Sequence, residues 1–354
     1  MSTAIPTTQT ALVGSASGDI VLSYNVPVPS LEHDMILVKT VAISVNPVDT
    51  KMIGAYVTPG SIAGCDFAGE VVATGSAVTN LFIGDRVCGA VMGMNPNHPD
   101  VGAFANYVGA RADRVLRIPS SLPYHDGAAL ATSFMTAGLA LFNSLKLPGS
   151  PLHPTANAKP VLVYGGSTAT GTAALQLLRL AGFTPIATCS PRNYELVKSY
   201  GAEQVFDYRS PDCAVTIREY TNNALEYSLD CITTVESMKI CYAAIGRRGG
   251  RYTALDPFPD VVANTRRVVK ADWVLGPVML GKDIGWPAPH GRPANPELSA
   301  FGVEWVRTVQ SLLEQGKLRA HPTEVRRGGL EGALDGLDRI KNKKVSGVKL
   351  VYSM

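Results

Sequence analysis

The chain has 354 residues, with 32 Lys and Arg against 29 Asp and Glu, and its formal net charge at pH 7 is +3. Charged residues make up only 17% of it, below the roughly 25% of an average soluble domain, and the length predicts about two domains. The 34 glycines and 24 prolines are spread through apolar segments, which excludes a disordered, collagenous or coiled-coil protein.

The first third of the chain predicts a domain of short strands. Apolar runs alternate there with glycines, which separate or bend the strands. The predicted strands are Ile20–Val26, Met35–Val45, Cys65–Thr74, Asp85–Ala90, Phe104–Val108 and Val115–Ile118. Their spacing predicts a barrel-like β domain.

From about residue 124 the pattern changes, and strands alternate with helices. A helix of small residues is predicted from Tyr124 through Leu145. The strands that follow are Pro160–Tyr164, Pro185–Cys189, Gln204–Asp207, Tyr227–Asp230, Gly250–Leu255 and Asp272–Leu275. The helices between them are Thr172–Ala181, Pro191–Tyr200, Cys213–Tyr220 and Val235–Ala244. This alternation predicts a parallel, doubly wound sheet.

The last part of the chain predicts a return to the first domain. Residues 276–296 are rich in proline and glycine and predict a loop. The elements after it are helices near Glu297–Glu314 and Leu330–Lys341 and a strand at Val348–Tyr352. The predicted domains are residues 1–127 with 288–354, and residues 128–287.

Several classes of partner are excluded. No five like charges adjoin, so no nucleic-acid surface is expected, and the longest apolar run, residues 128–142, is too short and too polar to span a membrane. The N-terminus lacks a basic segment followed by an apolar one, so we expect a cytoplasmic protein. The six cysteines and six histidines lack metal-ligand spacing, which predicts free buried thiols and no metal site.

One segment carries the cofactor chemistry. Residues 160–182, PVLVYGGSTATGTAALQLLRLAG, combine an apolar strand, a turn of small residues and an amphipathic helix. Small side chains let backbone N–H groups reach phosphate oxygens, and the positive end of the helix dipole favours the anion. Ser167 and Thr168 can add hydroxyl donors. A purely structural turn is the alternative, but the βα repeats around the segment favour a dinucleotide site.

The end of the next strand distinguishes the two nicotinamide cofactors. An NAD enzyme usually carries Asp or Glu there to bind the ribose 2′-OH, and such an acid repels a 2′-phosphate. This chain has Ser190, Pro191, Arg192 and Asn193 at that place, and the first acid is Glu195. Because Arg192 can pair with a phosphate, we expect NADPH. The alternative for Arg192 is an exposed arginine at a helix start.

Five motifs outside the cofactor turn carry a family resemblance. They are AISVNPVDTKM (42–52), GCDFAGEVVATG (64–75), GDRVCG (84–89), GAFANY (102–107) and GVKLV (347–351). They resemble the medium-chain dehydrogenase/reductases, in the zinc-free branch of quinone oxidoreductases and enoyl reductases. The resemblance implies a GroES-like, partly open β-barrel as catalytic domain and a Rossmann cofactor domain. Zinc-dependent members carry His-Glu in the second motif, where this chain has Cys65 and Asp66.

Further motifs narrow the resemblance. VLVYGGSTATGTAALQLLRLAG, PIATCSPRN, VFDYR, LDCIT and WPAPHGRP are similar to the fungal trans-acting enoyl reductases of polyketide synthesis. This implies hydride transfer from NADPH to Cβ of an α,β-unsaturated thioester, with protonation of Cα. The implied partner is the acyl carrier protein of a highly reducing polyketide synthase, alone or fused to a peptide synthetase, that lacks a working enoyl reductase domain.

The resemblance also implies two catalytic residues. Lys51 is the only flexible cation in its motif, and it would stabilise the enolate or donate a proton; an ordinary surface lysine is the alternative. Thr136 lies among small residues that allow close approach of cofactor and substrate; the alternative is a threonine that bonds its own helix.

The implied binding residues form two sets. The cofactor contacts are Val48, Asp49, Thr50, Lys51, Ser167, Thr168, Ala169, Thr170, Ser190, Pro191, Arg192, Asn193, Tyr208, Leu255, Asp256, Ser346 and Gly347. The substrate contacts are Thr136, Ala137, Gly138, Leu139, Ala140, Leu141, Phe142, Asn143, Leu275, Gly276, Pro277, Val278 and Met279. Tyr208 would stack on adenine, or it is an ordinary aromatic residue at a strand end.

Two other functions share these features. One is a free-standing NADPH quinone or alkenal reductase, and the other is an NADPH-binding protein without catalysis. For the oligomeric state we expect a monomer, because prolines fall where many relatives pair edge strands, and proline cannot donate to a ladder. These prolines are Pro277, Pro287, Pro289, Pro293 and Pro296.

Overall fold

The computed structural model describes residues 5–354. The chain divides into two compact units: the first extends to Thr132 and includes Pro277–Met354, and the second is Ser133–Gly276. The sequence instead predicts domain boundaries after residue 127 and before residue 288. The predicted sheet domain therefore also includes residues 128–132 and 277–287, which belong to the first unit of the structure.

The first unit begins with strands and short helices. The strands are β1 (Thr8–Gly14), β2 (Ile20–Pro27), β3 (Met35–Ser44), β4 (Asp66–Thr74), β5 (Arg86–Ala90), β6 (Tyr107–Arg111) and β7 (Val115–Arg117). The helices are α1 (Pro47–Lys51) and α2 (Tyr124–Ala128). β1 and β2 form an antiparallel pair, and β3 pairs with both β4 and β6.

Strands β1 and β6 differ from the prediction, and β14 (Thr323–Arg326), nearer the C-terminus of the same unit, was not predicted either. β1 was not predicted, because its polar start (TQT) hides the apolar residues that follow. The strand expected at Phe104–Val108 is wrong by three residues, since the ladder with β3 begins at Tyr107. Phe104 and Ala105 are fully buried, and Ala105 forms only an isolated bridge with Ala11. The apolar run therefore marks the core and not the ladder.

The second unit is a parallel six-stranded sheet with helices. The strands are β8 (Pro160–Tyr164), β9 (Thr184–Cys189), β10 (Gln204–Asp207), β11 (Tyr227–Asp230), β12 (Gly250–Ala254) and β13 (Val269–Trp273). The helices are α3 (Ala131–Gly138), α4 (Ala169–Leu180), α5 (Tyr194–Ser199), α6 (Cys213–Tyr220), α7 (Val235–Ala244) and α8 (Asp260–Ala263). The strand order β10-β9-β8-β11-β12-β13, with every pairing parallel, confirms the predicted doubly wound sheet.

The single helix predicted from Tyr124 through Leu145 is wrong. α2 ends at Ala128, and α3 starts anew where the Asp66 carboxylate accepts hydrogen bonds from the Thr132 N–H and hydroxyl at 2.9 and 2.7 Å. After α3 the chain forms a π-helical turn over Leu139–Ser144.

The last strand of the sheet also differs from the prediction. The strand expected at Asp272–Leu275 is Val269–Trp273, because its pairing with β12 ends where Trp273 faces Ala254. β13 is an edge strand and contains no proline. The proline argument for a monomer therefore does not apply to this edge, and the monomeric state stays a prediction.

The chain then returns to the first unit. A 3₁₀ turn, Gly276–Leu280, forms inside the segment that the sequence predicted as a loop. The later elements are α9 (Pro296–Glu314), β14 (Thr323–Arg326), α10 (Gly329–Lys341) and β15 (Lys349–Ser353). The larger sheet has the order β14-β15-β3-β4-β5-β7, so the C-terminal strand completes the N-terminal sheet. Among residues 5–354, no helix has the length and hydrophobicity that crossing a membrane requires.

Candidate cofactor and active site

The turn between β8 and α4 has the geometry of a phosphate cradle. Thr168 caps α4: its hydroxyl accepts a hydrogen bond from the Gly171 N–H at 2.9 Å and donates one to the Gly165 carbonyl at 2.8 Å. The Thr168 hydroxyl thus both donates and accepts a hydrogen bond within the turn, so its side chain stabilises the conformation of the turn. The half-buried residues Ser167, Ala169 and Thr170 complete the turn and the helix start.

Glycine is required at three positions of this cradle. Gly165 has a φ of +81°, in the left-handed region. A Cβ on Gly171 would lie 2.4 Å from the Gly165 carbonyl oxygen, and a Cβ on Gly166 would lie 2.7 Å from the Cβ of Ala187. The close approach of strand, turn and helix leaves the backbone at the N-terminus of α4 without large side chains above it. These residues fit the pyrophosphate of a dinucleotide.

The cradle lies at the point where the strand order reverses. β8 is between β9 and β11, and in open parallel sheets ligands bind at the carboxyl ends of the strands at this place. The predicted cofactor residues of the second unit all follow such strand ends: the cradle follows β8, Ser190–Asn193 follow β9, Tyr208 follows β10, and Leu255 and Asp256 follow β12. The structure therefore brings them to one edge of the sheet.

A segment that sequence reasoning missed lies at the same edge. Asp230, the last residue of β11, is fully buried. Its carboxylate accepts four hydrogen bonds, from the N–H groups of Ile232 and Thr233 and from the hydroxyls of Ser237 and Tyr252, at 2.6 to 2.9 Å. The hydrogen bonds fix the chain after β11 beside the cradle. The LDCIT motif (229–233) was the available signal, because it spans the end of the predicted strand Tyr227–Asp230.

The fixed segment places two side chains beside predicted cofactor residues. Ile232 is 46% exposed, and its side chain lies against Gly165, where a Cβ would be 2.9 Å away. The Thr233 hydroxyl accepts a hydrogen bond from the Leu255 N–H at 3.2 Å. Ile232 and Thr233 are therefore candidate cofactor contacts.

The residues predicted to select NADPH are differently exposed. Pro191 and Arg192 are exposed and Ser190 is half-buried, whereas the side chain of Asn193 is buried. The acid nearest to them along the sheet, Asp207 at the end of β10, accepts two hydrogen bonds from the Arg209 side chain at 3.0 Å, which lower the pKa of Asp207. Its charge is thus compensated. Tyr208, between them, is 38% exposed.

Most of the predicted substrate contacts on α3 and the turn after it are buried. Residues 137–141 are buried, and Thr136, Phe142 and Asn143 are partly exposed. The Thr136 hydroxyl lies 3.4 Å from the position that a Cβ of Gly276 would take, so α3 and the end of the segment after β13 adjoin there. Ser144 is anchored by hydrogen bonds to Thr253 and Asp272 at 2.7 and 2.6 Å.

In the first unit, α1 carries the predicted residues Val48 to Lys51. Val48 and Thr50 are half-buried, and Lys51 is exposed at the C-terminal end. Asp49 is fully buried, and its carboxylate accepts a hydrogen bond from the Asn46 N–H at 2.7 Å. Burial raises the pKa of Asp49 to about 7. The Asp49 side chain therefore stabilises the helix start and is not exposed to a ligand.

A buried ion pair connects α1 with the other predicted cofactor segment of this unit. The Lys349 ammonium donates hydrogen bonds to Asp66 and to the Asn46 side chain, both at 2.7 Å. Lys349 begins β15 two residues after Gly347, and Asn46 caps α1. The hydrogen bond between the Lys349 ammonium and the Asn46 side chain therefore joins the start of β15 to the start of α1. Within residues 5–354, no three His, Cys, Asp or Glu side chains converge to hold a metal ion.

The cysteines agree with the expected free thiols. All six are unpaired; five are buried and Cys231 is partly exposed. Burial raises the pKa of the Cys65 thiol beside Asp49 and Asp66.

Comparisons with known proteins agree with this architecture. Residues 32–120 match the family model of the alcohol dehydrogenase GroES-like domain, and residues 169–255 match that of the zinc-binding dehydrogenases. The chain is 58% identical to the trans-enoyl reductase phm4 of Pyrenochaetopsis sp over 348 residues, which cover 98% of this chain and 96% of that protein. The chain belongs to the trans-enoyl reductase family.

The folds of solved structures agree with this membership. A putative zinc-dependent alcohol dehydrogenase protein from Rhizobium etli CFN 42 superposes with a TM-score of 0.81 at 25% identity, covering 98% of each chain. The CurK enoyl reductase superposes with a TM-score of 0.77 at 19% identity, covering 98% of this chain and 99% of that one. The predicted family and the predicted combination of a GroES-like domain with a Rossmann domain are confirmed. A member of the trans-enoyl reductase family with this fold is an oxidoreductase that uses a nicotinamide cofactor.

Proposed function

We propose that this protein reduces the α,β-double bond of a polyketide intermediate while the intermediate is attached to the acyl carrier protein of a partner polyketide synthase. The synthase, alone or fused to a peptide synthetase, would lack a working enoyl reductase domain. The observation that carries the proposal is the 58% identity, over nearly the whole of both chains, to a protein named as a trans-enoyl reductase.

NADPH is the cofactor in this proposal. Three features support it: the exposed guanidinium of Arg192, the partly exposed hydroxyl of Ser190, and the compensation of the Asp207 charge by Arg209. A 2′-phosphate would meet a cation and a hydroxyl donor there, while the nearby Asp207 carboxylate is already paired with Arg209. The cradle between β8 and α4 would hold the pyrophosphate, and the nicotinamide ring would supply a hydride to Cβ.

The residues of the chain would stabilise the charge that develops on the thioester oxygen. Lys51 is exposed at the end of α1 and carries a flexible ammonium, which would donate a hydrogen bond to the enolate oxygen. The partly exposed Thr136 hydroxyl would orient the substrate. Cα then takes up a proton, so that one hydride and one proton saturate the double bond.

The test is a comparison of acceptors. The purified protein is mixed with NADPH and either but-2-enoyl pantetheine or a simple quinone, and oxidation of NADPH is followed by its absorbance. We expect turnover of the thioester with a kcat/KM that exceeds the quinone value by at least about tenfold. Preference for the quinone would favour a free-standing quinone reductase, and stoichiometric NADPH binding without oxidation by either compound would favour a non-catalytic protein.

A further inference from the structure

Thr233, in the segment after β11, has a backbone conformation that threonine rarely adopts. Its φ is +58°, in the left-handed region. None of the other non-glycine residues with positive φ in the described part of the chain is branched at Cβ: they are Met94, Lys146, Asn222, Asn223 and Lys343. Because the branch crowds the backbone, this conformation is strained for threonine. Strained residues cluster at functional sites, so Thr233 is a candidate for a functional role.

Hydrogen bonds to two neighbouring segments hold Thr233 in this conformation. Its N–H donates to the Asp230 carboxylate at 2.9 Å, and its hydroxyl donates to the Asp230 carbonyl at 3.4 Å. The same hydroxyl accepts from the Leu255 N–H at 3.2 Å, which ties the segment after β11 to the segment after β12. The buried Asp230 carboxylate is itself fixed by the hydroxyls of Ser237 and Tyr252, at 2.6 and 2.9 Å. All these residues belong to the second unit, so the strain is maintained within it.

Ile232 and Thr233, which we call the corner, lie on one side of the phosphate cradle. The residues predicted to bind the adenosine half of the cofactor follow β9 and β10, and these strands are on one side of β8 in the sheet. β11 and β12 are on the other side. A dinucleotide whose pyrophosphate occupies the cradle would therefore extend its nicotinamide half over the carboxyl ends of β11 and β12. The corner is at the end of β11, where that half would lie.

The Ile232 side chain is held beside the cradle from both directions along the chain. It is 46% exposed, and a Cβ on Gly165 would lie 2.9 Å from it. On one side the Cys231 N–H donates a hydrogen bond to the Tyr164 carbonyl at 3.0 Å, and on the other side Thr233 is fixed by Asp230. Ile232 thus offers an exposed apolar surface at a fixed position, which can restrict a ring without competing for its hydrogen bonds.

We propose that Thr233 is a positioning residue: held in its strained conformation by Asp230, it fixes Ile232 against the nicotinamide half of the cofactor and so restricts the movement of the ring. This inference rests on the proposed function for the reaction, because that function requires hydride transfer from the ring. Misplacing reacting atoms by about 1 Å can lower a rate by roughly 100-fold. A mobile corner should therefore affect kcat more than it affects the affinity for the cofactor.

The variant Thr233→Gly tests the proposal. Glycine adopts a φ of +58° without strain, so the variant removes both the strain and the hydroxyl and leaves the corner free to move. With NADPH and but-2-enoyl pantetheine, kcat should fall by at least about tenfold. The dissociation constant of NADPH should change by less than about threefold, because the cradle and the residues after β9 are unaltered. The fluorescence lifetime of bound NADPH should shorten, because a mobile nicotinamide ring loses its excitation faster.

Two further variants separate positioning from a general backbone effect. Asn223→Gly is the matched control: Asn223 has a φ of +57° and is also half-buried, but it precedes the start of β11 instead of following its end. This variant should change neither kcat nor the lifetime. Thr233→Ser keeps the hydroxyl that bonds to Asp230 and Leu255, and its kcat should stay within about threefold of the original value.

The midpoint of urea unfolding distinguishes positioning from a purely structural role. For Thr233→Gly it should lie within about 0.5 M of the value for the unaltered protein. A lower kcat together with a larger fall in the midpoint overturns the proposal, as do an unchanged kcat and lifetime. If the unaltered protein does not reduce the thioester, the proposed function is wrong, and the lifetime alone decides on the corner. In that case a shorter lifetime in Thr233→Gly supports the inference, and an equal one overturns it.

Discussion

The Lys349 ammonium and the Asp66 carboxylate lie 2.7 Å apart in the interior of the first unit, with side chains that are 3% and 0% exposed. Asp66 also accepts hydrogen bonds from Ser44 and Asn46 through the same oxygen, and from Thr132 through the other. Burying two charges is costly, and only a complete set of partners offsets the loss of water. The pair is therefore sensitive to the loss of either member.

We expect Lys349→Met to destabilise the protein by about 3 to 5 kcal/mol, because Asp66 would remain buried without its cation. Urea unfolding followed by circular dichroism measures this difference. Combining Lys349→Met with Asp66→Asn should recover part of the loss. Arg307→Met is the control, since Arg307 pairs with Glu304 at a site where both side chains are about 70% exposed, and it should cost less than about 0.5 kcal/mol. Equal effects of the two methionine variants would contradict a special role for the buried pair.

Asp49 should make stability depend on pH. The carboxyl ionises near 3.8 in the unfolded chain and, because of burial, at about 7 in the folded one. Between these values the folded state binds more protons, so the free energy of unfolding falls as pH rises from about 4 to 7. Asp49→Asn should remove this fall in the free energy of unfolding, which amounts to at most about 4 kcal/mol. The asparagine side chain still offers an oxygen that accepts the hydrogen bond of the Asn46 N–H.

A second buried group acts in the opposite direction. Burial lowers the pKa of His321 to about 3, so its contribution to stability grows as pH rises from about 3 to 6.5. The informative quantity is therefore the difference between Asp49→Asn and the unaltered protein across this range. A difference that does not change with pH would show that Asp49 ionises normally in the folded state.

Lys51→Ala should lower kcat for an enoyl thioester by about 100-fold, because a donor to the developing oxyanion is lost. The dissociation constant of NADPH, measured by fluorescence, should stay near its original value. Lys198→Ala, which removes an exposed lysine on α5, is the control and should change neither quantity. An unaltered kcat in Lys51→Ala would remove Lys51 from the mechanism.

Arg192→Ala should weaken NADPH binding by about tenfold or more, since a charge-assisted hydrogen bond to the 2′-phosphate is lost. NADH lacks this phosphate, so its affinity should not change. Titration of both cofactors into the variant and the parent measures the two constants. A parallel loss of NADH affinity would mean that Arg192 acts through the fold of the turn.

The parts of the fold and of the site that are built from residues close together along the chain could be predicted from the sequence. The cradle between β8 and α4 is one example, because its strand, its glycines and its helix are adjacent along the chain. The pair of Asp66 and Lys349 could not be predicted, since the two residues are 283 positions apart and neither periodicity nor spacing relates them. The sequence distinguishes Asp66 only because it stands, with Cys65, where zinc-dependent members carry His-Glu.

Other errors have a similar origin. Small residues from Tyr124 onward favour one long helix by propensity, but the hydrogen bonds of Thr132 to Asp66 start a separate helix there. Asp49 belongs to a predicted cofactor motif, yet its side chain is buried and accepts a hydrogen bond from the Asn46 N–H. In both cases the decisive partner is contributed by tertiary structure or by the orientation of a side chain, which local pattern does not specify.

The use of the Thr168 hydroxyl within the turn has an evolutionary consequence. With its donor and acceptor engaged by Gly165 and Gly171, the Thr168 hydroxyl is not available to a ligand, so a phosphate in the cradle would meet main-chain amides and the hydroxyls of Ser167 and Thr170. Recognition by main-chain amides depends on the path of the backbone and tolerates changes in the surrounding side chains. The residues after β9 would then be able to change, and with them the choice between the two nicotinamide cofactors, without altering the pyrophosphate site. Cofactor preference and cofactor retention would be separable traits in this scaffold.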